Sequence, residues 1–259
     1  MRRQHNRFGF TLVELLVIIG IIAVLMAILM PTLARARQTA KTIQCGSNLR
    51  QIDMALQMYI GDNRGWYPSP GWIARQYQQM SAGRPVPPSW AGPFPYSTPP
   101  VFDEKYLMEG GLAPYLKGGL DIFRCPSHEE PWNGTAQVVS YHMNGGVGGY
   151  GHRDSYKANQ FEADVVIFVC TKDKGTYNVN NPLWCADNDF SFLPINGEGV
   201  SERHIQSHGP GGYILRANHS AEFISHREYV VEATKERESN LRGNWWCSPQ
   251  TSHGRGVND

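Results

Sequence analysis

The sequence predicts an α+β protein, in which one long N-terminal hydrophobic helix packs on an antiparallel β-sheet head with long loops. Three observations lead to this fold class. Residues 10–30 form an apolar run, residues 31–61 continue with the spacing of an amphipathic helix, and short strand-like runs separated by turns occupy the rest of the 259 residues. The length suits one sizeable globular domain in addition to such a helix.

Composition excludes several classes of function. Lys and Arg number 24 and Asp and Glu number 23, so the net charge of +1 provides no overall field that would recruit nucleic acid. Charged residues make up 18% and apolar residues 41%, which excludes a protein with many membrane spans and leaves room for one. Five cysteines without a C-x-x-C pair do not form a zinc ribbon or a disulfide scaffold.

The pattern of the N-terminus predicts a basic leader followed by a membrane span. Arg2, Arg3 and Arg7 precede the apolar run from Phe10 to Met30. At 1.5 Å per residue, a helix of that length covers about 31 Å, which is the thickness of the hydrocarbon core of a bilayer. A secretory signal peptide would have a shorter apolar region and a small-residue cleavage site, which this run lacks.

Glu14 is an acid inside this apolar run. A carboxylate at the centre of a bilayer costs about 2.5–3.5 kcal/mol and is usually paired. No Lys, Arg or His lies between Phe10 and Arg35, so the partner must be a chain terminus or belong to another molecule.

The residues from Phe8 to Val17, FGFTLVELLV, resemble the processing signal of type IV prepilins and type II secretion pseudopilins. The resemblance implies that a prepilin peptidase cuts between Gly9 and Phe10 on the cytoplasmic face and methylates the new terminus. It also implies that Glu14 pairs with the terminal amine of a neighbouring subunit during assembly. An α-amino group is largely protonated at neutral pH, so cleavage supplies the missing cation.

The resemblance divides the chain into four parts. These are a leader at residues 1–9, a transmembrane and assembly half of the helix at 10–30, an amphipathic half at 31–61, and an extracytoplasmic head at 62–259. It implies a structural subunit of a pilus or secretion pseudopilus and no enzyme. The precursor would cross the inner membrane once, with a cytoplasmic N-terminus, before joining a filament at the cell surface.

The partners implied by the resemblance are the prepilin peptidase, further copies of the chain, other pilins or pseudopilins, and the assembly platform. The membrane contacts one helix, and no nucleic acid is expected. The alternative is a membrane-anchored enzyme or binding module that uses the helix only as a tether. Its binding face would be the Trp and Tyr residues of the proline-rich stretch 68–100, which are Trp72, Tyr77, Trp90 and Tyr96; Phe94 is the further aromatic residue of this stretch.

Pro31 predicts a kink in the stalk helix, because proline removes a hydrogen bond and clashes with the preceding turn. Beyond it, apolar residues recur three and four positions apart, which predicts that one helix face docks on the head. This stripe consists of Cys45, Leu49, Ile52, Leu56 and Tyr59. The glycines and Asx residues of 61–65 predict the end of the helix.

Strand-like runs in the head lie at 121–124, 137–143, 165–170, 212–217 and 221–225. The last two form a predicted hairpin around Asn218, His219 and Ser220. The head also resembles pilin-like proteins with a C-terminal H-X9-DG signature, since His208 has the same spacing to Asn218 and His219, although Asp-Gly is absent. The charged stretch 227–242 predicts a solvated helix.

Metal or cofactor binding is not expected. His204 and His208 have the i, i+4 spacing of a helical zinc pair, but the glutamate of the H-E-x-x-H motif is missing. Asp187 and Asp189 are candidate calcium ligands, because some pseudopilins hold calcium in a C-terminal loop; two carboxylates alone are too few for this ion.

Disulfides are possible in an extracytoplasmic head. Cys125, Cys170, Cys185 and Cys247 allow two bridges with three connectivities, and pairing of Cys45 with Cys125 is equally open.

Overall fold

The computed structural model describes residues 11–70, 89–92, 104–117, 119–128, 139–147, 156–171, 191–192, 199–207, 209–239, 242–245 and 247. The chain divides into two compact units, Met1–Ala40 and Lys41–Asp259. Each unit is described by itself below.

Helix α1 spans Leu12–Asp62 and supplies the long helix that the sequence predicts. Its apolar side chains up to Leu33 are exposed. By length and composition α1 is able to cross a membrane. Pro31 lies inside α1, which continues on both sides of it, and the kink stays a prediction.

The C-terminal part of α1 packs into the head through the predicted stripe. Each of its members, Cys45, Leu49, Ile52, Leu56 and Tyr59, is buried. The helix ends where predicted, because Arg64 and Gly65 adopt positive φ angles of 54° and 87°. The N–H of Gly65 then donates to the carbonyl of Ile60 at 2.9 Å, which satisfies one of the last helical carbonyls.

Among the described residues, the head contains a six-stranded sheet with β1 at Tyr141–Asn144, β2 at Val166–Cys170, β3 at Ser191–Phe192, β4 at His204–Gln206, β5 at Gly209–Arg216 and β6 at Ala221–Ser225. The order is β3-β1-β2-β5-β4, and β6 also pairs with β5. All pairings are antiparallel except that of β1 with β3. This arrangement confirms the α+β fold class.

Short helices also lie in the described ranges of the head. The 3-10 helices there span Glu104–Glu109, Ala113–Tyr115, Leu120–Phe123 and Ala158–Gln160, and α2 spans His226–Ser239 as the charge pattern predicts. The strand predicted at 121–124 is wrong. The N–H of Arg124 donates to the carbonyl of Asp121 at 3.2 Å, and Gly119 before the turn has a φ of 77°, so this short apolar run folds as a 3-10 turn.

Trp90 belongs to the core of the head. It is fully buried, and its ring centroid lies 4.8 Å from Phe168 and 5.9 Å from Phe123. Trp90 is therefore unavailable to the binding face of a tethered module. Trp72, Tyr77, Phe94 and Tyr96 lie outside the described residues.

Candidate functional site

The N-terminus of α1 carries a reciprocal pair of hydrogen bonds between Thr11 and Glu14. The backbone N–H and the hydroxyl of Thr11 donate to Glu14 Oε2 at 2.8 and 2.7 Å, and the N–H of Glu14 donates to Thr11 Oγ1 at 3.2 Å. This geometry is a capping box, in which two side chains satisfy the free N–H groups of the first helical turn. Sequence prediction misses this role of Thr11, although T-x-x-E is a known signature of the motif.

A second capping box at the start of α2 provides an internal comparison. Ser225 donates from its N–H and hydroxyl to Glu228 Oε2 at 2.9 and 2.8 Å, and accepts from the N–H of Glu228 at 3.2 Å. Glu14 therefore makes the bonds of an ordinary capping glutamate. The two glutamates differ in their surroundings. Glu14 is followed by an exposed apolar helix, and Glu228 is followed by a charged helix.

Glu14 has capacity for a further donor. Both hydrogen bonds fall on Oε2, and Oε1 has no partner among residues 11–70 or the other described parts of the chain. An ionised carboxylate accepts up to about four hydrogen bonds. One cation can therefore bind Oε1 while the capping box stays intact.

Several predicted site residues lie outside the described residues. These are Gly9, Phe10, Arg2, Arg3, Arg7, Cys185, Asp187, Asp189 and His208. The predictions made for them stay predictions. His204 lies in strand β4 and not in a helix, so its i, i+4 spacing to His208 does not place the two rings on one helical face.

Three cysteines and His204 meet in the head. Cys45, Cys125, Cys170 and His204 are all buried, and one Sγ or ring nitrogen atom from each lies within 4.8 Å of the others. We call these four residues the buried cluster. Cys45, Cys125, Cys170 and Cys247 are free cysteines in this structure. Cys185 lies outside the described residues, and the possible disulfides of the head stay a prediction. Three thiols converge on one point instead of meeting in pairs.

Hydrogen bonds within the buried cluster favour one thiolate. Donation from Cys125 and Cys45 lowers the pKa of the Cys170 thiol well below its usual value, and His204 and Arg203 act in the same direction. Burial raises the pKa of Cys45. The hydroxyl of Ser201 and the guanidinium of Arg203 also donate to Cys170 Sγ, at 3.6 and 3.8 Å.

The turn that the H-X9-DG resemblance singles out makes a side-chain contact with α1. His219 stands in the turn between β5 and β6 with a φ of 67°, where the signature has glycine. Its Nδ1 donates to Asp53 Oδ1 of α1 at 2.8 Å. The turn therefore contacts the helix through a residue that replaces the usual glycine.

Comparisons with known proteins show which family has this architecture. A family described as the prokaryotic N-terminal methylation motif matches residues 4–30. The chain is 31% identical over 124 residues to the type II secretion system core protein G of Pseudomonas aeruginosa. The alignment covers 47% of this chain and 83% of that protein. It is 30% identical over 147 residues to core protein G of Klebsiella michiganensis, with coverage of 57% and 82%.

A shorter match reaches the type IV wide pilus major component PilA4 of Thermus thermophilus, at 41% identity over 63 residues, 24% of this chain and 48% of that protein. No solved structure matches. The apolar helix, the α+β head and the methylation motif define a pilin-like protein. The chain belongs to the family of pilins and pseudopilins that contains core protein G of the type II secretion system. The resemblance seen in FGFTLVELLV is confirmed.

Proposed function

We propose that this chain is a structural subunit of a type IV pilus or a type II secretion pseudopilus. It is made as a prepilin, cut after Gly9, methylated on Phe10 and assembled through α1. The observation that carries this proposal is the exposed apolar part of α1 with Glu14 at its start. Such a surface needs lipid before assembly and other apolar helices after it.

Glu14 has a use in a filament that it does not have in a tether. Among packed apolar helices its carboxylate is stable only beside an opposite charge. The amine of a neighbouring Phe10 is the cation that the processed terminus brings to this depth. Oε1 of Glu14 receives that amine while Oε2 continues to accept from Thr11. The pair then registers each new subunit against the preceding one.

The same proposal assigns location and partners. The precursor spans the inner membrane once, with residues 1–9 in the cytoplasm and the head outside. The prepilin peptidase acts at Gly9, and other pilins or pseudopilins and the assembly platform contact the processed helix. The chain carries out no catalysis in this role.

Mass spectrometry of the mature terminus tests the proposal. When the chain is co-expressed with a prepilin peptidase, the purified protein should begin at methylated Phe10. Gly9→Val should retain the leader, because a Cβ at this position obstructs the close approach of the protease. Gly20→Val is the matched control and should be cut normally, since a Cβ at Gly20 meets nothing within 4 Å. An intact Met1 in the unsubstituted chain would contradict the proposal.

A further inference from the structure

The buried cluster joins four separate segments of the head. Cys45 lies in α1, Cys125 follows the third 3-10 helix, Cys170 ends β2 and His204 begins β4. Three thiolates with one imidazole are a common ligand set of structural zinc sites. We propose that Cys45, Cys125, Cys170 and His204 bind one Zn²⁺ ion, which ties α1 to the sheet of the head.

The distances in the buried cluster suit a single tetrahedral ion. Zinc binds sulfur at about 2.3 Å and nitrogen at about 2.0–2.1 Å, so the edges of the tetrahedron are about 3.5–3.8 Å. Cys125 Sγ lies 3.1 Å from His204 Nε2, and the limit for all pairs is 4.8 Å. These values bracket the required edge, so ligation needs only small shifts of the side chains.

The ring of His204 is oriented as in a metal ligand. Nε2 faces the sulfur atoms, while Nδ1 lies 3.2 Å from Thr42 Oγ1 and 3.4 Å from Ser127 Oγ. A zinc-binding Nε2 requires the proton on Nδ1, and the two hydroxyls accept it. Hydrogen bonds of this kind to the second nitrogen hold the imidazole of metal sites in its tautomer and direction.

Charge and hydrogen bonding around the sulfur atoms suit a bound cation. One Zn²⁺ with three thiolates has a net charge of −1, which the Arg203 guanidinium beside Cys170 balances. The hydroxyl of Tyr141 lies 3.4 Å from Cys45 Sγ and 3.2 Å from the carbonyl oxygen of Cys45, and the hydroxyl of Ser201 lies 3.6 Å from Cys170 Sγ. Thiols that still carry a proton release it to solvent when the ion binds. Thiolates gathered in a buried site without a cation would be costly.

The proposed role is structural. Four protein ligands complete the tetrahedron, and all four are buried, so no coordination position is left for water or substrate. Cysteine spacing does not reveal such a site, because its ligands come from positions 45, 125, 170 and 204 without a C-x-x-C pair. Metal binding to a site that forms only in the folded head adds directly to the stability of that head.

Metal analysis of the full chain tests the proposal. The chain should be purified in detergent without chelators and without a histidine tag, and elemental analysis should find one zinc per chain. Exchange with Co²⁺ should give the intense visible absorption of tetrahedral cobalt with thiolate ligands. This measurement needs no substitution, so it does not depend on the folding of any variant.

Substitutions assign the ligands. Cys170→Ser and His204→Ala should each lower the bound zinc at least tenfold. Cys247→Ser removes a buried free thiol outside the cluster and should retain one zinc per chain. His204→Cys restores four ligands and should also retain zinc, which a merely structural histidine would not predict.

Three results would overturn the proposal. The first is a disulfide between two of Cys45, Cys125 and Cys170 in protein recovered from the extracytoplasmic side of the membrane. The second is iron in place of zinc, or no metal in reduced protein after incubation with zinc. The third is equal loss of zinc in the Cys247→Ser control.

Discussion

Nδ1 of His219 donates to Oδ1 of Asp53 at 2.8 Å, so the turn between β5 and β6 contacts the face of α1 that packs in the head. Asp53 is held on its other oxygen as well, because Gln57 Nε2 donates to Oδ2 at 2.7 Å. The side chain of His219 stays 46% exposed and that of Asp53 only 8%. This contact connects the turn of the hairpin directly to a side chain of α1.

Substitution of His219 should separate the hydrogen bond from the backbone conformation. His219→Ala loses the bond to Asp53 and keeps a Cβ in the left-handed conformation, as His219 has, so it should lower the free energy of unfolding by about 1 kcal/mol. His219→Gly loses the same bond but relieves the strain of the Cβ, so it should be about 1 kcal/mol more stable than His219→Ala. Urea denaturation of both variants measures the difference. Equal stability of the two variants would show that the φ of 67° carries no strain.

Thr11 and Glu14 should have separable effects on assembly. Glu14→Leu removes the charge and the cap, Glu14→Gln keeps a cap acceptor without the charge, and Thr11→Ala keeps the charge without the cap. We expect all three to be cleaved and retained in the membrane, because removal of a buried charge does not hinder insertion. Both Glu14 variants should enter filaments poorly, whereas Thr11→Ala should assemble at near normal levels.

Shear fractionation with immunoblotting measures that assembly. Poor incorporation of Thr11→Ala together with normal incorporation of Glu14→Gln would mean that the cap matters and the charge does not. Normal incorporation of Glu14→Leu would contradict the proposed role of the Glu14 carboxylate in registering subunits. A tethered module, in contrast, would enter no filament and would keep its full activity after Glu14→Leu.

The head should fold without the apolar part of α1. A chain that begins at residue 36 keeps all of the second compact unit, Lys41–Asp259, including the buried stripe of α1. We expect it to be soluble and to unfold in one cooperative thermal transition, measured by circular dichroism. Absence of a cooperative transition in reduced protein supplied with zinc would contradict this expectation.

Gly46 allows α1 to approach the sheet closely. A Cβ at this position would lie 2.7 Å from Cε1 and 2.8 Å from Cζ of Tyr213. Gly46→Ala should therefore lower the free energy of unfolding by about 1–3 kcal/mol, even though alanine favours helix. Gly61→Ala is the control, because a Cβ at Gly61 meets nothing within 4 Å, and it should be neutral or stabilising.

A double substitution checks the cause of that loss. In a Tyr213→Ala background the added methyl group has space, so Gly46→Ala should cost less than it does beside the intact ring. An unchanged cost in both backgrounds would show that Tyr213 is not the obstacle.

The parts of the fold that were predicted best from the sequence are those determined by residues close together in the sequence. The stripe from Cys45 to Tyr59 follows from helical spacing alone, and the end of α1 follows from the residues after Gly61. The run at 121–124 is too short for its period to separate a strand from a 3-10 turn.

The buried cluster could not be predicted in this way. Cys45 and His204 are far apart in the sequence, and only the packing of α1 against the sheet brings them together. Spacing favours pairs of cysteines as disulfides, whereas the fold places three sulfur atoms around one point. Trp90 shows the same limit, because its position in the core depends on Phe123 and Phe168 from other segments.

Ser69 and Ser89 lie within the proline-rich stretch and bring the two ends of the segment between them together. The two residues form an isolated parallel bridge, and the N–H of Trp90 donates to the carbonyl of Ser69 at 3.0 Å. Once the ends of a segment are joined, each doubling of its length costs only about 0.6 kcal/mol of chain entropy. The bridge and Trp90 hold the two ends of this segment. The length of the segment therefore has little effect on the stability of the core. Related chains can therefore differ in the length and sequence of this segment while the core around Trp90 stays unchanged.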